Sequence, residues 1–198
     1  MSIDPKCWYP VASGADLPQG HVYQTRLDGH SLAIWRAASG QVNIWEDRCP
    51  HRGVRFSIGI VEGDELRCQY HAWRFASGSG ACTHIPAQPD RKPAAAIRAT
   101  VWPAVERAGL VWTGLSPEGE PQEIETGMIL RAIPIDRSAA VVEEALATAP
   151  IAATRLLVHP VMPDRSVIRG VALGDADVLA IDALLETLRR SLEASGAC

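Results

Sequence analysis

Hydrophobic and polar residues alternate in short runs over the first 115 residues, a pattern that is typical of β-strands. The runs are rich in β-branched and aromatic residues, and turn dipeptides such as Asp28-Gly29 and Ser39-Gly40 separate them. The predicted strands are Val22–Leu27, Ser31–Arg36, Val42–Glu46, Glu65–Cys68, Trp73–Ala76, Arg98–Val105 and Leu110–Thr113. Many short strands joined by close turns indicate a small antiparallel sandwich or barrel.

The pattern changes after residue 127, where segments with the three- to four-residue spacing of helices stand beside segments that resemble strands. Ile129–Pro134, Arg155–Val161 and Ser166–Leu173 are predicted as strands, and Arg137–Thr148 as a short Ala-rich helix that Pro150 ends. The fold class predicted for the whole chain is therefore mainly β, with an α+β C-terminal part.

The last segment carries the clearest helical period in the chain. Asp175 or Asp177 is the expected N-cap, and Gly196 lies near the expected end. The apolar residues that recur every three or four positions are Val178, Ile181, Leu185, Leu188 and Leu192. We expect this stripe to pack on a sheet; a partner interface is the less favoured alternative.

A segment rich in Pro, Gly and Glu, Leu115–Gly127, separates the two patterns and is typical of a linker. We therefore predict a first domain over residues 1–115, a linker over residues 116–127 and a second domain over residues 128–198.

Composition and charge exclude several classes of function. The 198 residues have a formal net charge of −4, and no cluster of basic residues is longer than a short pair such as Arg91-Lys92, which argues against nucleic acid as a partner. No apolar run is long enough to span a bilayer. Residues 1–6 lack the basic start and apolar stretch of a signal peptide, so we expect a cytoplasmic protein without a membrane partner.

Two cysteines and two histidines form the pattern C-x-H…C-x-x-H: Cys49 with His51, and Cys68 with His71. Each half supplies one thiolate and one imidazole, which is the ligand set of a Rieske-type [2Fe-2S] cluster, where two histidines replace two cysteines on one iron. A structural zinc site is the alternative, but zinc fingers usually keep the Cys pair and the His pair apart. The remaining residues of these two types are expected not to bind metal: Cys7, Cys82, Cys198, His21, His30, His84 and His159.

The residues around these ligands resemble the N-terminal domain of Rieske non-haem iron oxygenases, especially the monooxygenase and demethylase type. The matching segments are Trp8-Tyr9-Pro10-Val11-Ala12, Cys49-Pro50-His51-Arg52-Gly53-Val54, Ser57-Ile58-Gly59 and Cys68-Gln69-Tyr70-His71-Ala72-Trp73-Arg74-Phe75. The resemblance covers roughly residues 7–115, and it departs from the family at Ala72, where such proteins have Gly. Neither loop has the extra cysteine of respiratory Rieske proteins, which favours the oxygenase type.

The resemblance implies a Rieske-type antiparallel β-sandwich followed by a helix-on-sheet catalytic domain that binds a mononuclear iron through two histidines and a carboxylate. Only one histidine, His159, follows residue 84. Val142–Pro150 is similar to a decayed copy of the family's iron-binding motif, with Ala147 and Pro150 at the positions of its Asp and its first His. We therefore expect residues 128–198 to be a small remnant of that domain, with no mononuclear iron.

These observations favour an electron-transfer subunit, with a reductase or ferredoxin as donor and a catalytic oxygenase subunit as acceptor in a hetero-oligomer. One alternative is a complete but divergent oxygenase whose iron site is shared with another chain. The other is a stand-alone Rieske ferredoxin.

Overall fold

The structure is a computed structural model, and it describes residues 3–195. The expectations for Gly196 and Cys198 lie outside the described residues. The strands are β1 (Tyr9–Ser13), β2 (Val22–Leu27), β3 (His30–Arg36), β4 (Val42–Glu46), β5 (Ile60–Glu62), β6 (Glu65–Arg67), β7 (Arg74–Ala76), β8 (Cys82–His84), β9 (Val101–Trp102), β10 (Val105–Arg107), β11 (Leu110–Thr113), β12 (Met128–Ile129), β13 (Ile133–Ile135), β14 (Thr154–Met162) and β15 (Arg165–Ala172). The helices are α1 (Ala139–Thr148) and α2 (Val178–Ala194).

The chain divides into two compact units. The sandwich unit consists of Gly14–Thr25 and His30–Val105, and the helical unit of Met1–Ser13, Arg26–Gly29 and Glu106–Cys198. The helical unit thus draws on three separate stretches of the chain. The domain boundaries at residues 115 and 127 stay a prediction, because these compact units are discontinuous in sequence and do not test boundaries drawn along the chain.

The sandwich unit contains two sheets, with the strand orders β2-β3-β4-β9 and β5-β6-β7-β8. The pairs β3–β4, β4–β9, β5–β6, β6–β7 and β7–β8 are antiparallel. Its core is aromatic: Trp45 meets Trp35, Phe56 and Phe75 edge to face, with ring centroids 5.1, 5.3 and 6.4 Å apart. Such pairs stabilise a core beyond the area they bury. The predicted antiparallel β architecture is confirmed.

The helical unit contains a sheet in which β15 pairs with β12, β13 and β14, all antiparallel. Both helices pack on this sheet around a common apolar core. A further three-stranded sheet has the order β1-β11-β10. The predicted helix-on-sheet arrangement is therefore confirmed.

Helix α2 begins and packs as its sequence pattern predicts. Asp177 is the N-cap, and its Oδ1 accepts hydrogen bonds from the backbone N–H groups of Leu179 and Ala180 at 3.0 and 3.1 Å. Ile181 and Leu185 are buried in the core of the helical unit, and the rest of the predicted stripe packs against it. The expectation that the stripe lies on a sheet is confirmed.

Two predicted strands are divided in the structure. Arg98–Val105 is predicted as one strand, but Pro103 separates β9 from β10, because proline has no N–H to donate to a ladder. Ile129–Pro134 is likewise divided, between β12 and β13, by residues 130–132. Within residues 3–195, no helix combines the length and the apolar character needed to cross a membrane.

The short segment Arg26–Gly29 belongs to the helical unit, although the stretches on either side of it, Gly14–Thr25 and His30–Val105, belong to the sandwich unit. The backbone N–H groups of Asp28 and Gly29 donate to the carbonyl oxygens of Pro160 and Val161, both at 2.9 Å. His159 is fully buried, and its Nε2 lies 2.6 Å from the carbonyl oxygen of Arg26. Strand β14 therefore holds this segment through backbone and side-chain hydrogen bonds.

Candidate metal centre

The first candidate ligand pair lies on a tight loop between β4 and β5. The backbone N–H of Cys49 donates to the Val54 carbonyl at 2.8 Å, and the N–H of Gly53 donates to the Cys49 carbonyl at 2.8 Å. Gly53 has φ +73°, a left-handed conformation that glycine adopts without steric cost. The loop reverses the chain in six residues and carries His51 at its turn.

The second pair lies on a loop with the same hydrogen bonds, between β6 and β7. The N–H of Cys68 donates to the Trp73 carbonyl at 2.9 Å, and the N–H of Ala72 donates to the Cys68 carbonyl at 3.1 Å. Ala72 occupies the position equivalent to Gly53 and has φ +55°. Ala72, where the family has glycine, therefore adopts a backbone conformation that is strained for any residue with a Cβ atom.

The two loops bring the sulfur atoms of Cys49 and Cys68 together in the interior, where both residues are buried. The two thiols share a hydrogen bond. This hydrogen bond lowers the pKa of the Cys68 thiol, whose sulfur accepts it, and raises the pKa of the Cys49 thiol, which burial raises as well. Backbone N–H groups of the loops point at both sulfurs and also favour their thiolate forms. Thiolates are the form in which cysteine binds metal.

The imidazoles of His51 and His71 converge in the same way, with their Nδ1 atoms 3.1 Å apart. Burial lowers the pKa of His51 first, followed by the positive potentials of His71 and Arg52, so the ring favours its neutral, metal-binding form. Trp73 stacks on the His51 ring at 4.0 Å and 8°, and Tyr70 lies 3.9 Å from the His71 ring. The aromatic neighbours thus restrict both imidazoles.

The four side chains therefore form two pairs, one of sulfur and one of nitrogen. Among residues 3–195, no three His, Cys, Asp or Glu side chains come together as a site for a single ion. A structural zinc ion needs four ligands around one centre, whereas a [2Fe-2S] cluster with two Cys and two His ligands needs one pair for each iron. The donor set and its pairing fit the binuclear group.

Asp47 is a structural residue of the site that the sequence pattern does not single out. It is buried, and its two carboxylate oxygens accept from the backbone N–H and the hydroxyl of Ser57, both at 2.7 Å. Gln24 donates to it as well, at 3.1 Å. Asp47 thereby connects the start of the Cys49 loop to the turn that follows it. An acid next to Glu46 and Arg48 carries no sequence signal of burial.

The cysteines and histidines expected not to bind metal have other surroundings in the structure. Cys7 is exposed, and the thiol of Cys82 points at the carbonyl oxygen of His84 at 3.7 Å. His30 packs on Trp102 with ring centroids 5.4 Å apart. Cys198 lies outside the described residues.

Comparison with known proteins identifies the domain that carries these loops. The family described as the Rieske [2Fe-2S] domain matches residues 7–103. Oxidoreductase NdmD of Pseudomonas putida is 49% identical over 123 residues, which are 62% of this chain and 21% of NdmD. The oxygenase subunit of 3-chlorobenzoate-3,4-dioxygenase of Comamonas testosteroni is 37% identical over 107 residues, 53% of this chain and 24% of that protein. The chain thus spans about a quarter of these curated relatives' length.

Solved structures extend the likeness to the rest of the chain at the level of fold. The QL mutant of NdmA from Pseudomonas putida CBB5, solved with theobromine, aligns with a TM-score of 0.75 and 17% identity. The alignment covers 98% of this chain and 82% of that chain. The helical unit therefore shares the fold of a larger protein that also contains the sandwich.

Proposed function

Since residues 7–103 are a Rieske [2Fe-2S] domain, we propose that the protein is an electron-transfer subunit of a multicomponent non-haem iron oxygenase or demethylase system. It takes single electrons from a reductase or ferredoxin and passes them to a catalytic oxygenase subunit, with which it forms a hetero-oligomer. Neither nucleic acid nor a membrane takes part, and a cytoplasmic location stays a prediction.

The paired arrangement of Cys49 with Cys68 and of His51 with His71 is the observation that carries this proposal. We assign one iron to the two thiolates and the other to the two Nδ1 atoms. When bound, such a cluster accepts and releases one electron, at a potential raised by its neutral imidazole ligands. The loop N–H groups that point at the sulfurs stabilise the thiolates, and Trp73 and Tyr70 fix the planes of the two imidazoles.

Residues 128–198, which lie in the helical unit, are proposed to be a reduced form of an oxygenase catalytic domain that lacks a mononuclear iron site. The fold of this part of the chain supports its origin from a catalytic domain. The loss of the iron site is supported by the sequence, because His159 is the one histidine in residues 128–198. His159 is fully buried, with its Nε2 against the Arg26 carbonyl, and a two-histidine iron site would need a second histidine that residues 128–198 lack. The alternative of an iron site shared with another chain predicts three irons per chain. The alternative of a stand-alone ferredoxin predicts that the protein forms no stable complex with an oxygenase.

The test is the content of iron and acid-labile sulfide in anaerobically purified protein, with an EPR spectrum after reduction by dithionite. We expect two irons and two sulfides per chain and the low average g value of a mixed Cys/His cluster. Zinc without sulfide would contradict the redox function. A third iron would favour the divergent oxygenase. The variants Cys49→Ser and His71→Ala should lose the signal, whereas Cys82→Ser should keep it.

A further inference from the structure

Exposed arginines surround the loop that carries His51. Arg48, Arg52 and Arg98 line one open cavity of about 250 Å³ together with His51, and all three are exposed. Glu46 is the acidic side chain in the same lining. The walls of this arginine cavity therefore carry three positive charges and one negative charge.

The backbone holds these arginines in place. The N–H of Glu46 donates to the Thr100 carbonyl at 2.9 Å, which connects the strand before Arg48 to the segment that follows Arg98. That segment is also held by the N–H of Ala99, which donates to the carbonyl of Gly80 at 2.8 Å. A Cβ at Gly53 would lie 3.3 Å from Nε of Arg48, so this side chain lies against the His51 loop. The charges are thus supported by the same framework as the ligand loops.

The arginines of the cavity have no acidic partner among residues 3–195, whereas several other arginines of the protein form ion pairs. Arg67 and Arg74 of the same unit are paired with Glu62 at 2.7 and 3.2 Å. Arg48, Arg52 and Arg98 form no ion pair within the described part of the chain, although the whole chain has a net charge of −4. Unpaired charge of one sign beside a redox centre steers an oppositely charged partner to that centre.

We propose that the arginine cavity is the docking surface for an acidic electron-donor protein, which delivers one electron at the His51 side of the site. The proposal rests on the proposed function, because it assumes that His51 holds an iron. One electron leaves the reduced donor and reduces one iron of the site from ferric to ferrous, with no bond formed or broken. An acidic surface on the donor would meet three guanidinium groups without displacing any ion pair.

The experiment measures the second-order rate constant for reduction of the oxidised holoprotein by a reduced plant-type ferredoxin of acidic surface, in a stopped-flow instrument. Such a ferredoxin has a reduction potential below the Rieske range, so it can reduce a Rieske cluster. Two negatively charged proteins repel each other on average, and salt screens that repulsion. We nevertheless expect the rate to fall as the ionic strength rises from about 20 to about 500 mM, because the arginine cavity attracts the donor locally. A rate that rises with salt would overturn the proposal.

Variants locate the effect. Arg48→Gln with Arg98→Gln should lower the rate about tenfold at low salt and leave it unchanged at high salt, because only steering is lost. Glu46→Gln should raise the low-salt rate, and Arg52→Lys, which keeps the charge, should leave the salt dependence in place. Arg91→Gln with Lys92→Gln is the matched control, since it removes two charges outside the cavity lining and should change little.

The outcomes for docking and for the proposed function are separable. Each variant is first examined for its cluster absorbance and for its reduction by dithionite. Protein without a reducible cluster would count against the proposed function itself. A normal cluster with a ferredoxin rate that ignores the Arg48 and Arg98 changes would contradict the docking surface alone.

Discussion

Ala72 and Gly53 occupy equivalent positions in the two ligand loops, and only glycine suits the backbone there. Ala72 has φ +55°. An L-residue in this left-handed conformation costs about 1–2 kcal/mol of stability. A glycine in its place gives the unfolded chain more conformational entropy, which costs about 0.4–1 kcal/mol. We therefore expect Ala72→Gly to raise the free energy of unfolding by about 0.5–1 kcal/mol, measured by urea denaturation. Gly53→Ala is the counterpart and should lower it; equal effects of both changes would refute the explanation.

His159 should make stability depend on pH. Its pKa is lowered from 6.5 to about 3, chiefly by burial and also by the charge of Arg169, while the carbonyl of Arg26 acts in the opposite direction. The native state binds no proton at this ring above about pH 3, whereas the unfolded chain binds one below 6.5. Stability is therefore at its full value above pH 6.5 and falls by about 1.4 kcal/mol per pH unit between these values.

The measurement is chemical unfolding of the protein at pH 7.5 and pH 5, compared with His159→Gln. Glutamine can donate to the Arg26 carbonyl but does not titrate, so the variant should lose less stability on acidification. The same loss in both proteins would assign the pH dependence to other groups.

At the scale of elements, neighbouring leucines of α2 separate burial from helix propensity. Leu185 is 1% exposed and Leu184 is 54% exposed. Leu185→Ala should lower the free energy of unfolding by about 2–4 kcal/mol, because it leaves a cavity in the core of the helical unit. Leu184→Ala should change it by less than about 0.5 kcal/mol. A similar loss from both variants would show that α2 does not pack as described.

Asp47 should be the residue whose loss most loosens the first ligand loop without removing a ligand. Asp47→Asn keeps the shape but replaces an acceptor oxygen with an NH₂ group that faces the donors of Ser57 and Gln24. We expect a loss of about 1–3 kcal/mol of stability, with iron released at a lower urea concentration. Asp64→Asn is the control, because that exposed carboxylate accepts from the Ser39 backbone and lies outside the ligand loops.

The elements and the ligand loops could be predicted because their signals are local. The cap of α2, the turn glycines and the Cys-His spacing each lie within a few residues of one another. Asp47 and His159 could not be predicted, because their burial depends on contacts distant in sequence. A single sequence does not show which carboxylate or imidazole will be buried by a segment that is distant along the chain.

At the scale of the whole molecule, the segment Arg26–Gly29 connects the stability of the first half to the second. A fragment of residues 1–115 lacks Pro160 and Val161, which accept hydrogen bonds from Asp28 and Gly29. We expect that fragment to unfold at a lower urea concentration than the full chain. Trypsin should also cleave it faster after Arg26. Equal resistance would instead support an independent domain ending at residue 115.

The same segment has a consequence for synthesis on the ribosome. Residues 26–29 are synthesised long before Pro160 and Val161, because Pro160 follows Asp28 by 132 residues (160 − 28). At about 5–20 residues per second, the nascent chain waits about 7–26 s before strand β14 can accept this segment. The ligand loops are translated within that interval, so iron-sulfur assembly factors in the cell would meet them before the helical unit is complete.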